Sequence, residues 1–143
     1  MVEEIKTVAA KKVMIVEDNH LNQKISNMII DALGHKTIQV FDGDKAFDVV
    51  KENLPDLIIL DIQLTNISGI EICQQVKADE KTQHIPVIVV TALATDQDKK
   101  KIVSESGCDS YIAKPFMPKE FSEEIAKYIP IKKVDWSFVE EAE

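Results

Sequence analysis

The chain has 143 residues, 45% hydrophobic and 29% charged, with a formal net charge of -8. That length suits one domain with its own core, and the composition excludes a fibrous or largely disordered chain. All 17 basic residues are lysines, so the chain lacks both the positive charge and the guanidinium fork that direct nucleic-acid binding uses.

Residues 1–10 include Glu3 and Glu4 and no apolar segment, which predicts a flexible leader and not a secretory signal. No apolar run is long enough to cross a bilayer, and a cytoplasmic protein without membrane contact is expected. Val13 to Val16 reads as a buried strand ending at Glu17 and Asp18. Leu21, Ile25, Met28, Ile29 and Ala32 then recur at helical spacing, with Asn19 as cap and Gly34 as stop. This stripe puts Ile30 on the opposite, exposed side. Thr37 to Phe41 reads as a second strand, and Ala46, Phe47, Val49 and Val50 line a second helix that Pro55 ends.

Leu57 to Leu60 is apolar on both faces, as a central strand of a parallel sheet must be, and it ends at Asp61. A loop through Gly69 leads into a helix with Ile70, Cys73 and Val76. Pro86 opens the strand Val87 to Val90, which ends at Thr91. A polar helix is predicted from Asp96 to Ser106, stopping at Gly107. Tyr111 to Ala113 is a short strand before Lys114 and Pro115, and a last helix carries Phe121, Ile125 and Tyr128.

Strand and helix alternate five times, which predicts an α/β fold with a five-stranded parallel sheet and helices on both faces. The expected arrangement is flavodoxin-like, a doubly wound (βα)5 sheet of order 2-1-3-4-5. The domain is expected over residues 11–129. The tail, residues 130–143, includes Val134, Trp136 and Phe138 and reads as packing on the body or fraying in preference to binding a partner. Cys73 and Cys108 form no CxxC motif and read as reduced packing residues. His20, His35 and His84 are scattered and read as surface residues.

Ligands of open parallel sheets bind beyond the carboxyl ends of the strands, where strand order reverses. The polar residues that follow the strands are Glu17 and Asp18, then Asp61, Thr91 and Lys114. Each alone suits a helix cap, a strand-end hydroxyl or a solvated charge; their joint placement at one edge points to chemistry. Three carboxylates gathered there repel unless a cation joins them, and oxygen ligands favour magnesium. Lys114 and Thr91 can hold phosphoryl oxygens, and an aspartate can form an acyl phosphate.

The stretches Val13–Asn19, Pro55–Asp61, Thr91–Ala92 and Gly107–Pro115 resemble the response-regulator receiver family, the CheY-like proteins, and the resemblance spans about residues 11 to 129. The wording around Glu17 to Asn22 and Asp61 to Leu64 is most similar to single-domain regulators of the DivK type. The resemblance implies that Asp61 accepts a phosphoryl group from a sensor histidine kinase or a histidine phosphotransfer protein. It implies Mg2+ held by Asp18, Asp61 and the Gln63 main-chain carbonyl, with Glu17 acting through water. Thr91 and Tyr111 would be switch residues, Lys114 would pair with the phosphoryl oxygens, and the Lys114–Pro115 bond would be cis.

The same resemblance implies output to a downstream protein target through the face carrying Lys99, Lys100 and Lys101, with homodimerisation left open. It places kinase docking on the first helix, where Ile30 is the candidate contact. Gln63 and Leu93 occupy positions that tune phosphate lifetime, and Leu93 offers no group to position an attacking water. Thr65 with Asn66, where many relatives have proline near the start of the loop, is expected to affect loop mobility more than chemistry. Two other functions fit the residues less well. A phosphohydrolase would need an acid two residues past the nucleophile, where this chain has Gln63. A phosphorylation-independent interaction domain would not need the full acid, threonine and lysine set. The chain is therefore expected to catalyse only its own phosphorylation and dephosphorylation.

Overall fold

The computed structural model describes residues 8–93 and 95–137. Most of the expected leader, together with Phe138 of the tail, lies outside them. The elements follow in strict alternation: β1 (Lys12–Val16), α1 (His20–Ala32), β2 (Lys36–Val40), a short 3-10 turn (Gly43–Lys45), α2 (Ala46–Asn53), β3 (Leu57–Asp61), α3 (Gly69–Ala78), β4 (Val87–Thr91), α4 (Asp96–Ser106), β5 (Ser110–Ala113) and α5 (Pro118–Ala126). The strands form one sheet of order β2-β1-β3-β4-β5, every neighbouring pair parallel. This is the flavodoxin-like order that the alternation predicts.

The helix boundaries have local causes. Asn19 Oδ1 accepts from the Asn22 amide at 2.9 Å, and Thr95 Oγ1 caps α4 through the Asp98 amide at 3.0 Å. These bonds satisfy donors that the first helical turn leaves open. α4 ends where Gly107 takes φ of 74°, a left-handed conformation that glycine adopts without Cβ strain.

Successive strand residues point to opposite faces, and two cores result. One holds Met14, Val16, Ile58, Leu60, Val87 and Val89 with Val50, Ile72, Val76 and Ile102 under α2, α3 and α4. The other holds Val13, Ile15, Leu57, Ile59, Ile88 and Val90 with Ile29, Leu33, Phe121 and Ile125 under α1 and α5. β3 and β4 are buried along their whole length, as their uninterrupted apolar runs predict.

Two sequence expectations fail. On α1, Leu21, Ile25 and Met28 are 66%, 43% and 61% exposed, whereas Ile30 is fully buried. The buried face instead runs through Gln23, Ser26, Ile29 and Ile30. Gln23 belongs to it because its amide donates to the carbonyls of Ile15, Glu17 and Val40 at 3.1, 3.3 and 3.2 Å, tying β1 to β2. A hydropathy stripe cannot register a polar side chain buried by hydrogen bonding. Second, His20 and His84 are exposed, but His35 is buried. Its Nδ1 accepts from the Lys11 amide at 3.0 Å and its Nε2 donates to the Pro130 carbonyl at 2.6 Å.

Cys73 and Cys108 are free thiols buried in the first core, and burial pushes the Cys73 thiol up to about 12. Beyond α5, Ile131, Val134 and Trp136 pack against the second core, and the Lys132 amide donates to the Leu33 carbonyl at 2.9 Å.

Candidate active site

The carboxyl ends of β1, β3, β4 and β5 meet at one edge of the sheet. Glu17 and Asp18 follow β1, Asp61 closes β3, Thr91 closes β4 and Lys114 follows β5. Because β1 pairs with β2 on one side and β3 on the other, the crevice falls between β1 and β3. Ligand oxygens of Glu17, Asp18 and Asp61 lie within 4.8 Å of one another.

Lys114 closes the group from the β5 side. Its Nζ donates to Glu17 Oε1 and to Asp61 Oδ2, each at 3.0 Å. Asp61 Oδ1 accepts from the Gln63 amide at 2.9 Å, and Glu17 Oε2 accepts from the Asn19 amide at 3.1 Å. Glu17 and Asp61 are buried, at 6% and 5% exposure. Burial pushes the Glu17 carboxyl above its ordinary range, with the Asp61 charge adding to it. Burial alone would lower Lys114, but its hydrogen bonds to Asp61 and Glu17 prevail and hold the ammonium above its usual range.

Asp18 is the more accessible acid. Its Oδ2 accepts from the Thr65 amide at 2.9 Å and from the Thr65 hydroxyl at 2.6 Å, and the hydroxyl chiefly holds this carboxyl below its ordinary range. Thr65 therefore contacts a site carboxylate, because the loop after β3 folds back over the turn after β1. Gly69 was read only as a loop residue, yet it sets how closely that loop packs. A Cβ there would lie 2.2 Å from the Asp61 carbonyl oxygen and 2.8 Å from the Ile62 Cα. Its place, eight residues past an acid that ends a strand, is the only sequence signal that could have marked it.

Thr91 is fully buried, and its Oγ1 accepts from the Leu93 amide at 3.0 Å. Tyr111 is held away from the acids: its hydroxyl donates to the Leu93 carbonyl, and the Lys99 ammonium sits 5.4 Å from its ring centre. The structure thus brings Glu17, Asp18, Asp61 and Lys114 into contact, with Gln63 beside them, Thr91 at the next strand end and Tyr111 one strand further out. The Lys114–Pro115 bond is cis. A cavity of about 420 Å³ opens beside Asp61 and Lys114, walled by Ile15, Ile59, Val90, Ile25 of α1 and Phe116.

Three carboxylates, no soft ligand, and a half-exposed Asp18 make a donor set that suits a hard, partly hydrated cation such as magnesium. A doubly wound parallel sheet with this acid and lysine cluster at its switch point is the arrangement of a receiver-type signalling domain. The chain belongs to the response regulator receiver domain family, which matches residues 13–126, and is a signalling module of a two-component system.

Among its relatives, the polar-differentiation response regulator DivK of Brucella ovis is 46% identical over 119 residues, covering 83% of this chain and 96% of that one. DivK of Brucella anthropi is 45% identical over the same coverage. Among solved structures, the receiver domain of a sensor histidine kinase from Pseudomonas aeruginosa PAO1 is 28% identical with a TM-score of 0.77, covering 84% of this chain and 98% of that one. That structure has a magnesium ion coordinated in its active-site cleft. The chemotaxis protein CheY4 of Vibrio cholerae shares the fold, with a TM-score of 0.78, 21% identity and coverage of 85% of this chain and 100% of that one. No helix among the described residues is long and apolar enough to cross a membrane.

Proposed function

We propose that Asp61 accepts a phosphoryl group from a phosphohistidine of a sensor histidine kinase or a histidine phosphotransfer protein, and that the phosphorylated chain signals in the cytoplasm by contact with a downstream protein. The observation that carries this reading is the position of Lys114 Nζ, 3.0 Å from both Glu17 and Asp61, beside an acidic cluster that suits a divalent cation. An Asp61 carboxylate oxygen attacks phosphorus, the phosphorus–nitrogen bond breaks and imidazole leaves, giving an acyl phosphate. Asp18, Asp61 and the Gln63 carbonyl would hold magnesium, with Glu17 acting through water, and the ion would offset charge on the phosphoryl oxygens.

The other residues then follow the new charge. Lys114 exchanges a carboxylate for a phosphoryl oxygen, and the Thr91 hydroxyl leaves the Leu93 amide for another. The space it vacates admits Tyr111, which must give up the Leu93 carbonyl and the Lys99 ammonium. This couples Asp61 to the α4–β5 surface, where Lys99, Lys100 and Lys101 are exposed, as a charge-driven two-state change. Leu93 positions no water, which favours a long-lived phosphate.

The docking side is α1. Leu21, Ile25 and Met28, not the buried Ile30, form its exposed apolar patch, and Ile25 also lines the cavity beside Asp61. An apolar helix face of the phosphodonor fits that patch.

Intact mass after incubation with magnesium and a small acyl-phosphate donor tests the chemistry. One phosphate adduct is expected, absent without magnesium and absent in Asp61→Asn. A wild-type protein that stays unmodified with the donor would sink this reading in favour of a phosphorylation-independent interaction domain.

A further inference from the structure

Thr65 lies four residues past Asp61, in the loop between β3 and α3, and reaches the site from outside the charged set. Both of its donors converge on one oxygen of Asp18, the amide at 2.9 Å and the hydroxyl at 2.6 Å. The two bonds stitch the loop after β3 to the turn after β1 across the crevice. An ionised carboxylate has about four acceptor positions, so Asp18 can keep both donors and still face a cation. We propose that Thr65 is a positioning residue for the magnesium site, fixing the Asp18 carboxylate before the ion arrives. This rests on the reading of Asp18 as a magnesium ligand.

The alternative at this position shows what threonine adds. A proline has neither an amide hydrogen nor a hydroxyl and could make neither bond. Without them Asp18, which is half-exposed, would be free to rotate, and ion binding would have to order it. Groups that orient a metal ligand from behind typically change metal affinity by about 10- to 100-fold.

Calorimetric magnesium titrations of the wild type, Thr65→Val, Thr65→Ser and Thr65→Pro test this, with melting temperatures in magnesium-free buffer as control. Thr65→Val should weaken magnesium about tenfold with an unchanged melting temperature, Thr65→Ser should restore wild-type affinity, and Thr65→Pro should weaken it at least as far as valine. Equal affinity in wild type and Thr65→Val would overturn the proposal. So would tighter binding in Thr65→Val, since the hydroxyl would then compete with the ion. A wild type that takes no magnesium would overturn the underlying reading, and the proposal with it.

Discussion

At the carboxyl edge of the sheet, buried Glu17 and Asp61 share one lysine at 3.0 Å, with Asp18 alongside. At the amino edge the polar groups are neutral: His35 links Lys11 to Pro130, and Lys132 closes onto Leu33. Both ends bury polar atoms, but only the first keeps net charge in low dielectric, which costs stability unless a cation compensates. That cost leaves the upper edge responsive to a new charge, while the lower edge, fully paired, ties the tail to the body.

The carboxyl edge is most sensitive at Gly69. Gly69→Ala should destabilise the fold by about 3 kcal/mol in denaturant titrations, because the new Cβ would meet the Asp61 backbone at 2.2 Å. The same variant should lose the phosphorylation proposed for Asp61, since that residue's backbone must shift. Lys114→Met comes next. It leaves Glu17 and Asp61, 8% and 6% exposed as side chains, facing each other. The loss should be roughly 2 kcal/mol near neutral pH, and added magnesium should restore part of it.

Removing residues 131–143 tests the lower edge. The melting temperature should fall by about 5 °C, with the magnesium affinity of the upper edge unchanged. The smallest effect is at Cys73. With its thiol pushed up to about 12 by burial, the reactive thiolate is scarce below that pH, so a thiol reagent should leave Cys73 unmodified in the native protein near pH 8. Rapid labelling only after denaturation is the expected result, and rapid native labelling would show that the first core opens.

The strands were legible because β3 and β4 are buried on both faces, so their apolar runs carry the signal without help from periodicity. The site was legible for a related reason: each such run stops at a polar residue, and parallel strands deliver those stops to one edge. α1 was misread because hydropathy assigns Leu21 and Met28 to a core and Gln23 to solvent. Three carbonyls around Gln23 reverse that choice.

Thr65, Gly69 and His35 show the remaining limit. Each acts through a partner 47, eight or 95 residues away in the chain, namely Asp18, Asp61 and Pro130. By itself the sequence determined the order of elements, the parallel sheet and the residues at its carboxyl edge, because burial and chain alternation are written locally. Only the tertiary structure decided which side of α1 faces the core, which hydroxyl holds Asp18 and which histidine closes the tail. Those outcomes depend on hydrogen bonds between segments that meet only after the sheet has formed.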